Sequence, residues 1–209
     1  MFGKIKVVWL AVAALLLAAA LDLYALAASG EQLYFRPEGD PQETVTRFFD
    51  SLKAGDYPAA YACLGDYATL GLENEAGNGE SALVFAALKD SYDAALTGAC
   101  AVEQRTAKQS VCFRYLDVPQ LEAAAAERVE GALEEIIGEQ PGSEFYDGEG
   151  RLLTEVTDAA YAAALSRTLA EAERYYATAE LVIELDYTNG QWLMRTAPAL
   201  LSALRGGVG

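Results

Sequence analysis

The sequence predicts an α+β fold in which helices cover one face of an antiparallel sheet. Three observations lead to this prediction: a helical hairpin pattern opens the soluble part, alternating strand patterns follow it, and a strongly apolar β-hairpin closes it. An apolar segment ahead of the first helical pattern also predicts an N-terminal transmembrane or signal helix. The chain of 209 residues is long enough for one domain with a real core plus this appendage.

Residues 1–28 have the pattern of a signal peptide or an uncleaved signal anchor. Lys4 and Lys6 precede an apolar run that one Asp interrupts. A cleaved signal would end at the A-x-A sequence Ala25–Ala27, whereas the whole run spans about 33 Å as a helix, enough for an anchor. Both interpretations place the domain outside the cytoplasm, either held at the cell membrane by a single pass or secreted. Residues 29–39 are expected to form a linker.

Two short helices joined by a tight corner are predicted to open the domain. Asp40 has the position of an N-cap, Pro41 takes the first helical position and Glu43 completes a capping box. An apolar stripe follows at helical spacing: Val45, Phe48, Phe49 and Leu52. Gly55 is placed to end this helix, and Asp56 caps the next one. The second helix carries three side chains on one face: Tyr57, Tyr61 and Leu64.

Helices and strands are both predicted in the middle of the chain. A third helix is expected over 81–96, and two strands over 98–118 with a polar turn at 103–106. A continuous helix capped by Asp117 comes next, and a long helix is expected over 155–177. The many carboxylates in this part of the chain are interpreted as a solvated surface, because their spacing does not match a calcium-binding loop.

The last hairpin has the strongest local pattern of the chain. Four apolar or aromatic residues alternate with polar ones: Leu181, Ile183, Leu185 and Tyr187. Asn189-Gly190 predicts a two-residue turn, which fixes the register. Tyr187 should then face Trp192, and Leu185 should face Met194. Glu184 and Arg195 should form an ion pair on the opposite, exposed face of the sheet.

Composition excludes several kinds of active site and partner. The 15 Lys+Arg against 31 Asp+Glu give a net charge of −16, which argues against nucleic acid. The absence of His removes Ser-His-Asp and Cys-His nucleophiles and His-ligated zinc. Three cysteines without a C-x-x-C spacing do not form a thiolate zinc site, and the first of them, Cys63, is too far along the chain for a lipoprotein. Whether Cys100 and Cys112 pair stays open. We therefore expect no metal and no cofactor.

Two segments of the soluble part resemble the nuclear transport factor 2-like superfamily. PQETVTRFFDSLKAGDYPAAYACLGDY, from Pro41 to Tyr67, is similar to the opening helices of that superfamily, and LVIELDYTNGQWLMRTAPALLSAL is similar to its final hairpin. The resemblance implies a cone-like domain over residues 40–205, with a strongly curved antiparallel sheet wrapped by the first helices. Residues 117–178 would then be a helical insertion. Some members are isomerases or dehydratases and others are accessory domains of cell-envelope proteins, but no catalytic residue of the enzymes can be carried over.

The candidate ligand-binding residues are aromatic side chains on the opening hairpin and at the alternate strand positions that face inward: Tyr57, Tyr61, Tyr115, Tyr187 and Trp192. Rings with a polar tip suit a ligand pocket, although at this spacing they also suit a filled core. Because the chain is acidic, a ligand there is expected to be neutral or cationic, and partly apolar.

Three functions are compatible with these sequence features. The first is a non-enzymatic, extracytoplasmic module that binds a small molecule or an envelope protein and reaches the membrane through its N-terminal helix. The second is a pocket enzyme of the isomerase or dehydratase type that uses Asp and Tyr as acid and base, although no catalytic residue can be assigned. The third is a structural or oligomerisation domain, which includes a homodimer. A cavity with a buried carboxylate would favour the second, and a filled cone would favour the third.

Overall fold

The fold is known from a computed structural model that describes residues 37–65, 70–72, 77, 79–139 and 145–208. The predicted signal or anchor helix of residues 1–28, and most of the predicted linker, lie outside the described residues. In the part of the chain that is described, no helix is both long enough and apolar enough to cross a membrane.

The described residues form an α+β fold with a four-stranded antiparallel sheet, which confirms the predicted fold class at this level. The helices are α1 (Pro41–Ala54), α2 (Tyr57–Tyr61), α3 (Glu80–Ser91), α4 (Val118–Glu127), α5 (Val129–Glu139), α6 (Thr154–Leu169) and α7 (Pro198–Leu204). The strands are β1 (Asp93–Glu103), β2 (Thr106–Leu116), β3 (Tyr176–Thr188) and β4 (Gln191–Met194). A 3-10 helix at Ala172–Tyr175 leads into β3.

The opening helical hairpin forms as its capping residues predict. The Asp40 side chain accepts a hydrogen bond from the Gln42 amide at 2.9 Å, and the Asp56 side chain accepts one from the Ala59 amide at 3.1 Å. Gly55 ends α1 with a φ of +76°, a left-handed conformation that glycine adopts without steric cost. These local contacts fix the corner between α1 and α2.

The sheet has the strand order β1-β2-β3-β4, and its last hairpin has the predicted register. Tyr187 lies opposite Trp192 and Leu185 lies opposite Met194. The turn residue Asn189 has a φ of +52° and Gly190 has a φ of +85°, as a two-residue primed turn requires. The register prediction is therefore confirmed.

The two faces of the sheet differ sharply in burial. One face is covered by helices and carries the inward side chains of the strands: Val111, Phe113, Leu181, Ile183, Leu185 and Met194. The other face carries ion pairs. Arg195 bonds to Asp186 at 2.5 and 2.7 Å and lies 3.4 Å from Glu184, which also pairs with Lys108 at 2.8 Å. The predicted Glu184–Arg195 pair is thus present, but as part of a four-residue cluster.

Four predicted helical stretches differ from the structure. The second helix ends at Tyr61, so Leu64, expected on its face, lies beyond it and forms a β-bridge with Met194. The third helix stops at Ser91 instead of residue 96, because residues from Asp93 onward pair with β2. The helix after Asp117 breaks at Arg128 instead of running on. The long helix ends at Leu169, and Tyr176, expected on its face, begins β3 opposite Leu116. At both strand starts, cross-strand pairing with distant residues overrides a local helical pattern.

The corner where β2 meets α4 is fixed by the C-terminal segment. Asp117 caps α4 by accepting a hydrogen bond from the Gln120 amide at 3.0 Å, as predicted. The Val118 amide donates to the Gly206 carbonyl at 2.9 Å. Gly206 has a φ of +70°, and a Cβ there would lie 2.5 Å from a methyl group of Val118. This close approach requires glycine and brings the end of the chain against the start of α4.

Candidate functional site

Four of the five aromatic residues predicted to bind a ligand form two pairs, one on α2 and one on the β3–β4 hairpin. The fifth lies on β2 and stacks on another ring. The rings of Tyr57 and Tyr61 lie 6.2 Å apart on α2, and those of Tyr187 and Trp192 lie 5.3 Å apart on the last hairpin. Tyr115 stacks at 6.0 Å on a neighbouring ring of β2. The structure thus brings the members of each pair together, and their role in binding stays a prediction.

The polar tips of three of these rings already bond to the backbone. The Tyr61 hydroxyl accepts from the Leu72 amide at 3.2 Å, and the Tyr187 hydroxyl accepts from the Glu38 amide at 3.2 Å. The Trp192 indole donates to the Gly39 carbonyl at 3.3 Å, and its side chain is only 3% exposed. Trp192 therefore has the contacts of a core residue.

Packed side chains fill much of the space between α1 and the covered face of the sheet. Phe113 is fully buried, with its ring 5.1 Å from that of Phe49 and 5.4 Å from that of Tyr92. The cavity found beside these rings, between α1 and β1, measures about 80 Å³. A space of that size holds a few water molecules at most.

A larger cleft of about 320 Å³ lies where α3, α4 and α6 meet, and we call it the α3–α4–α6 cleft. Its apolar lining belongs to the main core or packs against it: Val84, Phe85, Leu88, Val118 and Leu165. Its polar lining consists of Glu80, Ser81, Glu122, Tyr161 and Arg205. A concave apolar surface with a few convergent polar groups is the usual form of a small-molecule site.

Helical spacing explains how each of the three helices contributes to the cleft. Residues at i and i+4 share a helix face, and each helix supplies one polar residue and one or two apolar residues in this way. On α3 these are Glu80, Val84 and Leu88; on α4, Val118 and Glu122; on α6, Tyr161 and Leu165. Each helix thus turns one face with an apolar end and a polar end toward the same cleft.

The electrostatics of the cleft centre on Tyr161. Burial raises the pKa of its phenol, and the negative charges of Glu122 and Glu80 raise that pKa further. The hydroxyl therefore stays protonated at neutral pH and can donate a hydrogen bond. Neither Glu80 nor Glu122 forms an ion pair with another described residue, whereas Arg205 takes part in a further contact of its own.

Carboxyl groups with a shifted pKa lie outside the cleft, and each is shifted downward. Arg167 lowers the pKa of Glu135, and Arg128 lowers that of Glu171. Lys108 does the same for Glu184. A general acid needs the opposite shift, so these groups are structural ion-pair partners. Among the described residues, no group of three or more acidic or Cys side chains could hold a metal ion.

The cysteines of the described residues are free thiols. Cys112 lies opposite Ala95 in the sheet, because the β1–β2 turn falls at Gln104-Arg105. Cys100 lies in the stretch where the register between β1 and β2 shifts. The pairing of Cys100 with Cys112 that the sequence left open is therefore absent here.

Two broader depressions are less suited to a ligand. One, of about 550 Å³, runs along α4, α5 and α6, but four of its five charged residues pair with each other, as in Arg128–Glu171 at 2.9 Å. The other, of about 400 Å³, follows the outer side of α1 and is lined by polar and charged residues such as Gln42 and Asp50. Neither is lined by large apolar side chains such as the Val, Leu and Phe residues of the α3–α4–α6 cleft.

Sequence reasoning missed the α3–α4–α6 cleft. Glu122 belongs to the carboxylates interpreted as a solvated surface, and Tyr161 lies on the apolar stripe of the helix predicted over 155–177. The one available signal was the polar tip of Tyr161 within that stripe. Nothing local indicates that three separate helices turn these residues toward one another.

No protein-family model matches the chain, and no curated protein matches it. Among solved structures, it is similar to the crystal structure of YcdA, a proposed lipoprotein from Bacillus subtilis, with 14% sequence identity and a TM-score of 0.39. The match covers 90% of this chain and 55% of YcdA. At this level the likeness assigns neither a family nor a function, and the resemblance to the nuclear transport factor 2-like superfamily receives no support from these comparisons.

Proposed function

We propose that this protein is a non-enzymatic, extracytoplasmic module that binds a small molecule in the α3–α4–α6 cleft. The observation that carries the proposal is the cleft itself, which combines about 320 Å³ of space with an apolar lining and a few polar groups. The extracytoplasmic placement depends on Lys4, Lys6 and the apolar run that follows them in the sequence.

The shape of the binding module is part of this proposal. A helical hairpin that lies over one face of an antiparallel sheet, with a two-residue hairpin at the end of the chain, is the arrangement that the nuclear transport factor 2-like resemblance implies. We infer that α4, α5 and α6 are inserted into such a domain between β2 and β3. The α3–α4–α6 cleft would then be a feature that the insertion adds.

A binding role fits the chemistry of the cleft better than acid-base catalysis. A phenol that acts as a general base would need a pKa lowered toward neutrality, whereas that of Tyr161 is raised. Buried side-chain polar atoms among the described residues all have hydrogen-bond partners, so these residues include no buried, unpaired carboxylate of the kind that a general acid or base requires. These features support recognition without chemistry.

A cleft-filling substitution tests the proposal. Ser81 is exposed at the edge of the cleft, so Ser81→Trp should keep the fold while its indole occupies the space. A ligand found by screening small molecules against the full chain in nonionic detergent should bind the wild type and lose at least about tenfold in affinity to this variant. Isothermal titration calorimetry measures both affinities.

The matched control is Leu83→Trp, on the same helix. Leu83 is 55% exposed and does not line the cleft, so the added ring should leave binding unchanged. Equal loss in both variants would mean that the ligand binds elsewhere or that bulk on α3 perturbs the fold. No ligand from the screen, or a ligand indifferent to Ser81→Trp, would contradict the proposal.

A further inference from the structure

The mouth of the α3–α4–α6 cleft carries two carboxylates that no described residue neutralises. Glu80 and Glu122 line the cleft from α3 and α4, and neither has an ion-pair partner in the described part of the chain. The neighbouring depression along α4, α5 and α6 is different, because two of its three carboxylates, Glu135 and Glu171, are paired with Arg. The cleft therefore offers negative charge that is not paired with any other described residue.

Tyr161 lines the same cleft as these two carboxylates and the apolar residues. The pKa of its phenol responds to both carboxylates, which shows that the hydroxyl shares their electrostatic environment. The hydroxyl can accept or donate a hydrogen bond, and the negative face of the ring attracts cations. The lining beside it is apolar, with Leu88 4% and Leu165 2% exposed. A ligand that matches these surfaces has a positive group at one end and an apolar body at the other.

We propose that the α3–α4–α6 cleft binds a free organic cation, an ammonium compound with an apolar body, and that Glu80, Glu122 and Tyr161 receive its charged end. This proposal rests on the proposed function, since it requires that the cleft binds a small molecule. The ammonium group would form charge-assisted hydrogen bonds with the carboxylates, and the body would displace water from Val84, Phe85 and the core residues below them.

Arg205 provides the main argument for a different ligand, because it places one positive charge in the same lining. Two carboxylates outnumber this guanidinium, and Arg205 already takes part in another contact. The net charge of −16 also raises the concentration of cations near the surface and lowers that of anions. Charge complementarity therefore favours a cation, and an anion bound by Arg205 becomes an outcome of the test.

Three probes with the same body and different charge distinguish these ligands: 2-phenylethylammonium, 2-phenylethanol and 3-phenylpropanoate. The full chain should bind the ammonium probe at least about tenfold more tightly than the alcohol or the carboxylate. Removing both charges in Glu80→Gln/Glu122→Gln should abolish this preference and leave the affinity for the alcohol unchanged. Line shapes and shifts in ligand-observed nuclear magnetic resonance report all three affinities.

The control variant is Glu127→Gln, which removes one exposed carboxylate from the same helix as Glu122 but outside the cleft. It should retain the full preference for the ammonium probe, and an unchanged melting temperature for each variant shows that the fold is kept. If the alcohol or the carboxylate binds as tightly as the ammonium probe, and Ser81→Trp blocks that binding, the cleft binds ligands but the cation assignment is wrong. If no probe binds in the millimolar range, both the assignment and the proposed function are contradicted for this class of ligand.

Discussion

Two regions of the domain use apolar surface in different ways. Between α1 and the sheet, rings from both layers meet, and the cavity beside Phe49 and Phe113 measures about 80 Å³. Where α3, α4 and α6 meet, a cleft of about 320 Å³ stays open. The same core runs beneath both regions, so the difference lies in the residues that face each other.

The open region cannot close without a large electrostatic cost. On α1 the residues at helical spacing along the buried face are apolar or aromatic, so the helix can lie directly on the sheet. On α3 and α4 the corresponding faces end in Glu80 and Glu122. Bringing these helices together would bury two unpaired carboxylates, which costs several kcal/mol each. The carboxylates that oppose closure are thus the same ones that we propose to receive the charged end of the ligand.

The comparison predicts that equal truncations cost different amounts of stability in the two regions. Phe113→Ala, in the filled region, should lower the free energy of unfolding by about 3–5 kcal/mol, because it leaves a cavity among buried rings. Phe85→Ala, in the open region, should cost about 1–2 kcal/mol, because its half-buried ring already borders water. Chemical denaturation of the full chain measures both. Equal losses would show that the cleft is closed in solution.

A buried hydroxyl between the two regions should have the next largest effect. Ser91 is 1% exposed at the end of α3; it accepts a hydrogen bond from the Leu116 amide at 2.7 Å and donates one to the Leu88 carbonyl at 2.6 Å. Ser91→Ala leaves a buried amide without its partner, so it should cost about 1–3 kcal/mol. Ser81→Ala, at the exposed start of the same helix, should stay within about 0.5 kcal/mol. A melting curve for each variant makes the comparison, and similar losses would mean that the α3–β2 junction does not depend on this hydroxyl.

Features determined by neighbouring residues were predictable from the sequence. The caps at Asp40, Asp56 and Asp117 form as expected, because an N-cap depends on amides two or three residues away. The register of the last hairpin follows from Asn189-Gly190 in the same local way. The α1–α2 hairpin and the Glu184–Arg195 ion pair belong to this group.

Features determined by distant residues were not predictable from the sequence. Residues 93–96 look helical in isolation, but β2 pairs with them from Arg114 back to Val111. Tyr176 is drawn into β3 by the same strand. The α3–α4–α6 cleft depends on how three helices far apart in the chain come together, and helical periodicity identifies a face without naming what that face meets. The candidate site was for this reason the least predictable part of the molecule.

The smallest predicted effect concerns the uncovered face of the sheet. Its charged side chains form ion pairs, unlike the two carboxylates of the α3–α4–α6 cleft. Arg195 holds the pKa of the Asp186 carboxyl below its ordinary value of 3.8, mainly through their hydrogen bonds. A lowered folded-state pKa means that the pair stabilises the protein above about pH 3.8, and that this contribution disappears as the pH falls through the folded-state value. Asp186→Asn should therefore lower the melting temperature at neutral pH by no more than about 3 °C. The difference from the wild type should shrink below pH 3.8.

Asp90→Asn, which removes an exposed carboxyl with no ion pair to a described residue, should show no such pH dependence. Melting curves from pH 2 to pH 7, recorded at low and high salt, decide the matter, and a difference that grows in acid would show that Asp186 is not held by Arg195 in solution.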